Sequence, residues 1–218
     1  MHGFTESLDG AIRAGDVPPM IMVLPNAGAF SFYSDSVDGA IMVETMIIKE
    51  LIPFVDEHYR TVPSRQGRAV LGFSMGGFGA LKLGFQYPEL FGCVVAYMPA
   101  LVTPESFASP GRQAWYRHMF GGKPEALQAV HPMTLVKERA DRIRGILPIR
   151  LVVGSEETHF ARKEELHHLL DELKIAHEYE VFEGVGHNSG PCMEREGVKG
   201  YQFISRHLTA SEAAPTAR

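Results

Sequence analysis

The sequence is poor in the features that mark several large classes of protein. It has two cysteines, Cys93 in an apolar run and Cys192 after a Gly-Pro pair, which is too few for a disulfide framework. No apolar stretch approaches the length of a membrane span. Its 21 lysines and arginines face 26 aspartates and glutamates, a net charge of −5 with no basic stripe. The composition therefore argues against membrane and nucleic-acid partners.

The ends of the chain carry little targeting information. The N-terminus lacks the layout of a signal peptide, so the sequence as written predicts a cytoplasmic protein. Residues 210–218 are small and polar and are predicted to be disordered. Residues 1–209 suffice for one α/β domain with a substantial core, and they contain no repeat or linker.

Short apolar runs alternate with amphipathic stretches along the chain. Near-continuous apolar strands separated by helices predict a mostly parallel sheet with helices on both faces. The predicted strands are 19–25, 69–73, 93–98, 148–154 and 177–183, the last with the alternation of an edge strand. The predicted helices are 41–59 with a kink at Pro53, 75–86, 163–173 and 194–207.

The most informative motif is the turn Gly72-Phe73-Ser74-Met75-Gly76, which directly follows the apolar run 68–71. A strand, a Gly-x-Ser-x-Gly turn and a helix start together predict a nucleophile elbow. The serine sits on a strained turn, where bulkier residues at Gly72 and Gly76 are expected to clash. Its Oγ is then exposed beside N–H groups that point at a developing oxyanion. We therefore predict that Ser74 is a nucleophile.

A serine hydroxyl needs a base to take its proton, and the base needs an orienting acid. Among ten histidines, His187 stands in a glycine-flanked loop after the last strand. His167 and His168 lie on an amphipathic helix and are predicted to face solvent. No histidine pair has metal-ligand spacing beside a third ligand, so we predict no metal site.

The acid is expected after the strand 148–154, where the chain reads Gly154-Ser155-Glu156-Glu157. Neighbouring glutamates point in different directions, so only one of them can orient the histidine. The residues alone leave three alternatives open: Glu156, Glu157, or two solvated loop charges.

The longest excursion between strands, residues 99–147, follows a strand end, where insertions build pockets in such sheets. It carries apolar and aromatic residues at helical spacing, and these either pack in the core or contact substrate. The candidates for substrate contact are Trp115, Tyr116 and Phe120.

These motifs resemble the esterase D-like esterases of the α/β-hydrolase superfamily, which include feruloyl esterases, S-formylglutathione hydrolase and mycolyltransferases. The similarity runs from His2 to about His207. It rests on motifs in a common order: His2-Gly3-Phe4, residues 31–35, 50–53, 58–61, 72–77, 88–92 and Gly186-His187.

The resemblance implies a role for each candidate residue. Ser74 is similar in position to the nucleophile and His187 to the base, while Glu157 stands where the family has aspartate. The oxyanion hole is implied to consist of the N–H groups of Met75 and Phe4. No metal or organic cofactor is needed for this chemistry.

Several functions fit this reading. The first is a serine carboxylic-ester hydrolase that forms an acyl-enzyme and takes small-molecule esters. The alternatives are acyl transfer, or a catalytically weak scaffold that only binds. The oligomeric state is left open.

The start of the chain suggests that strands are missing. In the resembling family a central strand leads into the His-Gly loop, whereas here the loop motif follows Met1 directly. We therefore expect an α/β-hydrolase domain that lacks its N-terminal strands, with Met1 internal to a longer protein. An upstream signal peptide then also remains open. The alternative is that the strand 20–25 closes the gap by pairing with 69–73.

Overall fold

The computed structural model describes residues 2–208, so the tail predicted to be disordered at 210–218 lies outside the described residues. Four strands form the sheet: β1 (Ala69–Phe73), β2 (Cys93–Tyr97), β3 (Ile149–Gly154) and β4 (His177–Phe182). The α-helices are α1 (His2–Ala14), α2 (Val43–Thr45), α3 (Ile52–His58), α4 (Met75–Gln86), α5 (Pro110–Phe120), α6 (Pro124–Val130), α7 (Pro132–Glu138), α8 (Ala140–Ile143), α9 (Phe160–Glu172), α10 (Ser189–Glu196) and α11 (Lys199–His207).

All neighbouring strands of the sheet are parallel, in the order β1-β2-β3-β4. The prediction of a parallel sheet is confirmed, and β4 is an edge strand as its alternating pattern indicates. Phe73 pairs with Tyr97 and Gly154 with Phe182, so the carboxyl ends of the strands lie along one edge. The loops that follow β1, β3 and β4 therefore meet at this edge.

Both faces of the sheet are covered. On β2, Val94 and Ala96 point into a core shared with α4, α7 and α9. The alternate residues Cys93, Val95 and Tyr97 point to the other face, where α10 and α11 cover them. Burial on both faces explains why β2 and β3 read as continuous apolar runs.

The segment 19–25 differs from the prediction, because the structure gives it no regular secondary structure. An extended run becomes a strand only when a neighbour pairs with its backbone, and among the described residues β1 pairs with β2 alone. Ile21, Val23 and Leu24 are exposed. Direct pairing of 20–25 with 69–73 is therefore wrong.

Two predicted helices are divided. The helix expected at 41–59 is a helical segment in which a π-helical stretch, Met46–Leu51, joins α2 to α3. The helix expected at 194–207 is α10 followed by α11, because Gly197 ends α10 with a positive φ of 56°. Short 3₁₀ turns occur at Arg65–Gly67 and Pro104–Phe107. None of the helices in the described part combines the length and apolar character that a bilayer span requires.

Candidate active site

Ser74 occupies a sharp turn between β1 and α4. Its φ of 57° and ψ of −116° place a non-glycine residue in a sparsely populated region, at a cost of about 1–3 kcal/mol. Three backbone hydrogen bonds hold it there. Its N–H donates to the carbonyl of Tyr97 at 2.9 Å, and its own carbonyl accepts from Phe78 at 3.0 Å and Ala100 at 2.9 Å. The strain is thus imposed by the strand and helix on either side.

The glycines around Ser74 do not contribute equally. A Cβ at Gly72 would lie 2.1 Å from the carbonyl oxygen of Gly76, a contact that the backbone cannot relieve. A Cβ at Gly76 itself would meet only the hydroxyl of Tyr33, at an ordinary 3.7 Å. The predicted clash is therefore confirmed for Gly72, and the prediction is wrong for Gly76. Gly77 is also tightly enclosed, since a Cβ there would lie 2.9 Å from the carbonyl oxygen of Tyr97.

His187 bridges Ser74 and Glu157. Its Nε2 lies 2.7 Å from Oγ of Ser74, and its Nδ1 lies 2.8 Å from Oε2 of Glu157. An ionised carboxylate only accepts hydrogen bonds, so the proton of the neutral ring belongs on Nδ1. Nε2 then holds a lone pair that accepts the hydrogen bond from the serine hydroxyl. The ring also packs on Phe73, with 5.2 Å between ring centroids.

The loop after β3 contacts the loop after β4, and this contact brings Glu157 to His187. A Cβ on Gly154 would lie only 2.2 Å from the carbonyl oxygen of Val185, so the histidine loop crosses directly over the end of β3. The N–H of Glu156 donates to that same carbonyl at 3.1 Å. This pairing leaves Glu156 exposed and turns Glu157 inward. Of the two glutamates, the structure thus brings Glu157 to the histidine.

Glu157 is buried and fully engaged. Its Oε1 accepts from the N–H of Gly154 at 2.9 Å, and its Oε2 accepts from both His187 and Lys163, whose Nζ lies 2.9 Å away. Burial acts to raise the pKa of the Glu157 carboxyl, but the hydrogen bonds from His187, Gly154 and Lys163 outweigh it. Its pKa therefore lies below the ordinary value, which keeps the group ionised.

Lys163 is a site residue that sequence reasoning missed. It lies in α9 with only 3% of its side chain exposed. A signal was available, because Lys163 falls on the same helical face as the buried Leu166 and Leu170. A lysine on an apolar face calls for a buried anionic partner, and the glutamate loop precedes α9 directly.

The two predicted oxyanion donors, Met75 and Phe4, lie in different helices. Met75 is the first residue of α4, so its N–H has no acceptor within the helix. Phe4 lies in α1, not in the predicted loop. Its ring packs near Tyr97 and its carbonyl accepts from the hydroxyl of Tyr201 at 2.9 Å.

The reason for this difference is the helical pattern of α1. Its apolar residues recur at helical spacing, and Leu8 and Ala11 are buried against Val17 and Tyr201. These contacts fix the segment on the face of the sheet that α10 and α11 cover. The segment is therefore a helix and not the predicted loop, and the role of the Phe4 N–H as an oxyanion donor stays a prediction.

The three aromatic candidates for substrate contact separate into two groups. Tyr116 and Phe120 are 8% and 2% exposed and belong to a core cluster with Phe107. These contacts show core packing, although Tyr116 also lines a cavity. Contact of the three residues with substrate stays a prediction. Trp115 is half-buried, stands near the ring of Phe30, and lines a cavity of about 300 Å³. A second cavity of about 420 Å³ lies on the other side of α5, and neither is lined by Ser74 or His187.

Comparison with known proteins places this geometry in context. The model of the Esterase family, described as "Putative esterase", matches residues 1–193. An esterase of Mycobacterium tuberculosis is 44% identical over 72 residues, which are 32% of this chain and 16% of that protein. An acetyl esterase of Caldicellulosiruptor saccharolyticus is 25% identical over 176 residues, covering 77% of this chain and 66% of that protein. The chain therefore spans less than two thirds of either relative.

One solved structure shows how far the fold likeness extends. A ferulic acid esterase superposes with a TM-score of 0.80, at 22% identity, over 95% of this chain and 78% of that chain. At this identity the likeness concerns the fold.

Proposed function

The chain belongs to the Esterase family, and we propose that it hydrolyses carboxylic esters through an acyl-enzyme on Ser74. The observation that carries the proposal is the hydrogen-bonded series from Ser74 through His187 to Glu157. It supports activation of the hydroxyl because Nε2 of His187 is an acceptor at 2.7 Å from Oγ.

The steps follow from these positions. Nε2 of His187 takes the proton as Oγ attacks the ester carbonyl, and Glu157 stabilises the imidazolium that forms. The N–H of Met75, which has no acceptor within α4, donates to the tetrahedral oxyanion, a contact worth roughly 2.7–4 kcal/mol in comparable sites. The imidazolium then protonates the leaving alcohol. Water attacks the acyl group by the same route and releases the acid.

The substrate class proposed is a small-molecule ester. The named relatives act on acetyl and ferulic acid esters, so a panel of nitrophenyl acetate, longer acyl esters and methyl ferulate is the natural first screen. A sugar alcohol added to the same reactions tests acyl transfer, because transfer consumes the ester without releasing an equal amount of free acid.

Fluorophosphonate labelling tests the proposal most directly. Wild-type protein is expected to react at Ser74, while Ser74→Ala and His187→Ala are expected to lose labelling and ester hydrolysis together. Ser74→Ala removes only a half-buried oxygen and keeps the backbone turn, so circular dichroism should show an unchanged fold. Labelling of Ser74→Ala at the wild-type rate, or the absence of labelling in well-folded wild type, would contradict an activated serine and favour a scaffold that only binds.

A further inference from the structure

His167, His168 and Asp171 come together on the surface of α9. Each offers one ligand atom, and these atoms lie within 4.8 Å of one another. The spacing explains the arrangement, since Asp171 is four residues after His167 and three after His168 on the helix. The prediction that no histidine pair has a third ligand nearby is therefore wrong.

The hydrogen bonds of His177, on β4, fix the proton positions of this cluster. Its Nδ1 lies 2.9 Å from the carbonyl oxygen of Ile175, which can only accept, so Nδ1 carries the proton. Nε2 of the neutral ring then holds a lone pair. It lies 2.7 Å from Nδ1 of His167, and it accepts a hydrogen bond from that nitrogen.

This series of hydrogen bonds leaves a lone pair on His167 at the surface of α9. Because Nδ1 of His167 carries the proton, Nε2 of the neutral ring is bare. It stands 3.6 Å from the carboxylate oxygen Oδ2 of Asp171. A lone pair and an anionic oxygen repel each other across that gap, and a bound cation would turn this repulsion into attraction. The cluster thus has the electrostatics of a cation site.

The ring of His167 is also held in place. It stacks on Tyr179 with 4.2 Å between centroids and 12° between planes, and the hydroxyl of Tyr179 donates to Glu164. Asp171 is 59% exposed at the same spot, so an ion from solvent can reach it. A histidine whose far nitrogen donates to a fixed acceptor is the usual arrangement behind a metal ligand.

We propose that His167, His168 and Asp171 bind a divalent transition-metal ion of the Zn²⁺ type, with His177 as a positioning residue. Two imidazoles and one carboxylate suit such an ion, and water completes its coordination. The ion would join two successive turns of α9 and, through His177, connect this helix to β4.

Calorimetric titration of the full chain with Zn²⁺ at neutral pH tests the proposal. His168→Gln and Asp171→Asn are each expected to weaken binding by about tenfold or more. Two control variants address other histidines: His118→Gln, since His118 pairs with Asp38 at 3.7 Å elsewhere, and His187→Gln in the candidate active site. Both are expected to keep the high-affinity event. Zn²⁺ affinity that is the same in wild type, His168→Gln and Asp171→Asn overturns the proposal.

The positioning role of His177 has its own test. The side-chain carbonyl of His177→Gln can still accept from Nδ1 of His167, whereas His177→Phe cannot. We expect about a tenfold loss of Zn²⁺ affinity in His177→Phe and substantial rescue in His177→Gln. Equal losses in the two variants would overturn the positioning role. So would nitrogen NMR that finds the proton of neutral His167 on Nε2.

Discussion

Nζ of Lys163 lies 2.9 Å from Oε2 of Glu157, and both side chains are almost completely buried. The same oxygen accepts the hydrogen bond from His187. Lys163 therefore supplies the opposite charge that allows a carboxylate to remain ionised inside the protein. Because Lys163 and His187 share Oε2, Lys163 also reduces the negative charge that this oxygen presents to the His187 ring.

Lys163→Met should destabilise the fold by about 3 kcal/mol, because it leaves a buried carboxylate without its charged partner. Urea unfolding at neutral pH measures the loss. The double variant Lys163→Met/Glu157→Gln should recover part of it, since no uncompensated charge remains. Additive losses in the double variant would show that the two side chains do not interact.

Glu157→Gln should lower kcat for ester hydrolysis by about a hundredfold or more, because it removes the charge that stabilises the imidazolium. The adjacent Glu156 is a matched control, being exposed and outside the hydrogen-bonded series. Glu156→Gln is expected to leave kcat nearly unchanged. A larger loss in Glu156→Gln would reverse the assignment, and small losses in both would place the acid elsewhere.

The elbow glycines should respond oppositely to alanine. Gly72→Ala forces a Cβ to within 2.1 Å of the carbonyl oxygen of Gly76, so we expect misfolding or a large drop in the thermal midpoint. Gly76→Ala adds a methyl group that meets only the hydroxyl of Tyr33, at an ordinary contact distance, inside α4, where alanine is the better helix former. We expect its thermal midpoint to equal or exceed that of wild type. Comparable destabilisation of both variants would contradict the described turn.

His131 should make the fold less stable in mild acid. Burial lowers its pKa from 6.5 to about 4, assisted by the charge of Arg162. Below pH 6.5 the unfolded chain therefore takes up a proton that the folded protein refuses. The stability that neutral His131 gives the folded protein is fully present above pH 6.5. It is lost as the pH falls to about 4, by up to about 3 kcal/mol.

His131→Asn isolates this effect. The ring nitrogen Nδ1 of His131 accepts from the N–H of Met133 at the start of α7, and asparagine is also a good N-cap. Unfolding free energies of wild type and His131→Asn, measured across this pH range, should differ in slope because the variant cannot take up the proton. Parallel curves would show that His131 titrates normally in the folded protein.

Local patterns were enough to predict most of the scaffold. β2 and β3 are buried on both faces, so their sequences read as apolar runs whatever else the fold does. Ser74 and His187 were found from their glycine contexts, since sharp turns at strand ends leave a mark on neighbouring residues. The prediction of a strand at 19–25 was wrong for the opposite reason. A strand depends on a pairing partner, which no local pattern encodes.

Side chains whose role depends on direction were decided only by the tertiary structure. The contact of the Val185 carbonyl with the end of β3 selects Glu157 over Glu156, and it brings Glu157 to His187 across 30 residues of sequence. Lys163 and the relation of His167 to His177 likewise depend on how α9 packs against the sheet. The sequence by itself determined the four strands of the sheet, the elbow and the glycine-flanked histidine, because these follow from neighbours along the chain. The burial of Glu157 and Lys163 depended on packing between distant segments. A charged side chain is buried only where the fold places an opposite charge beside it.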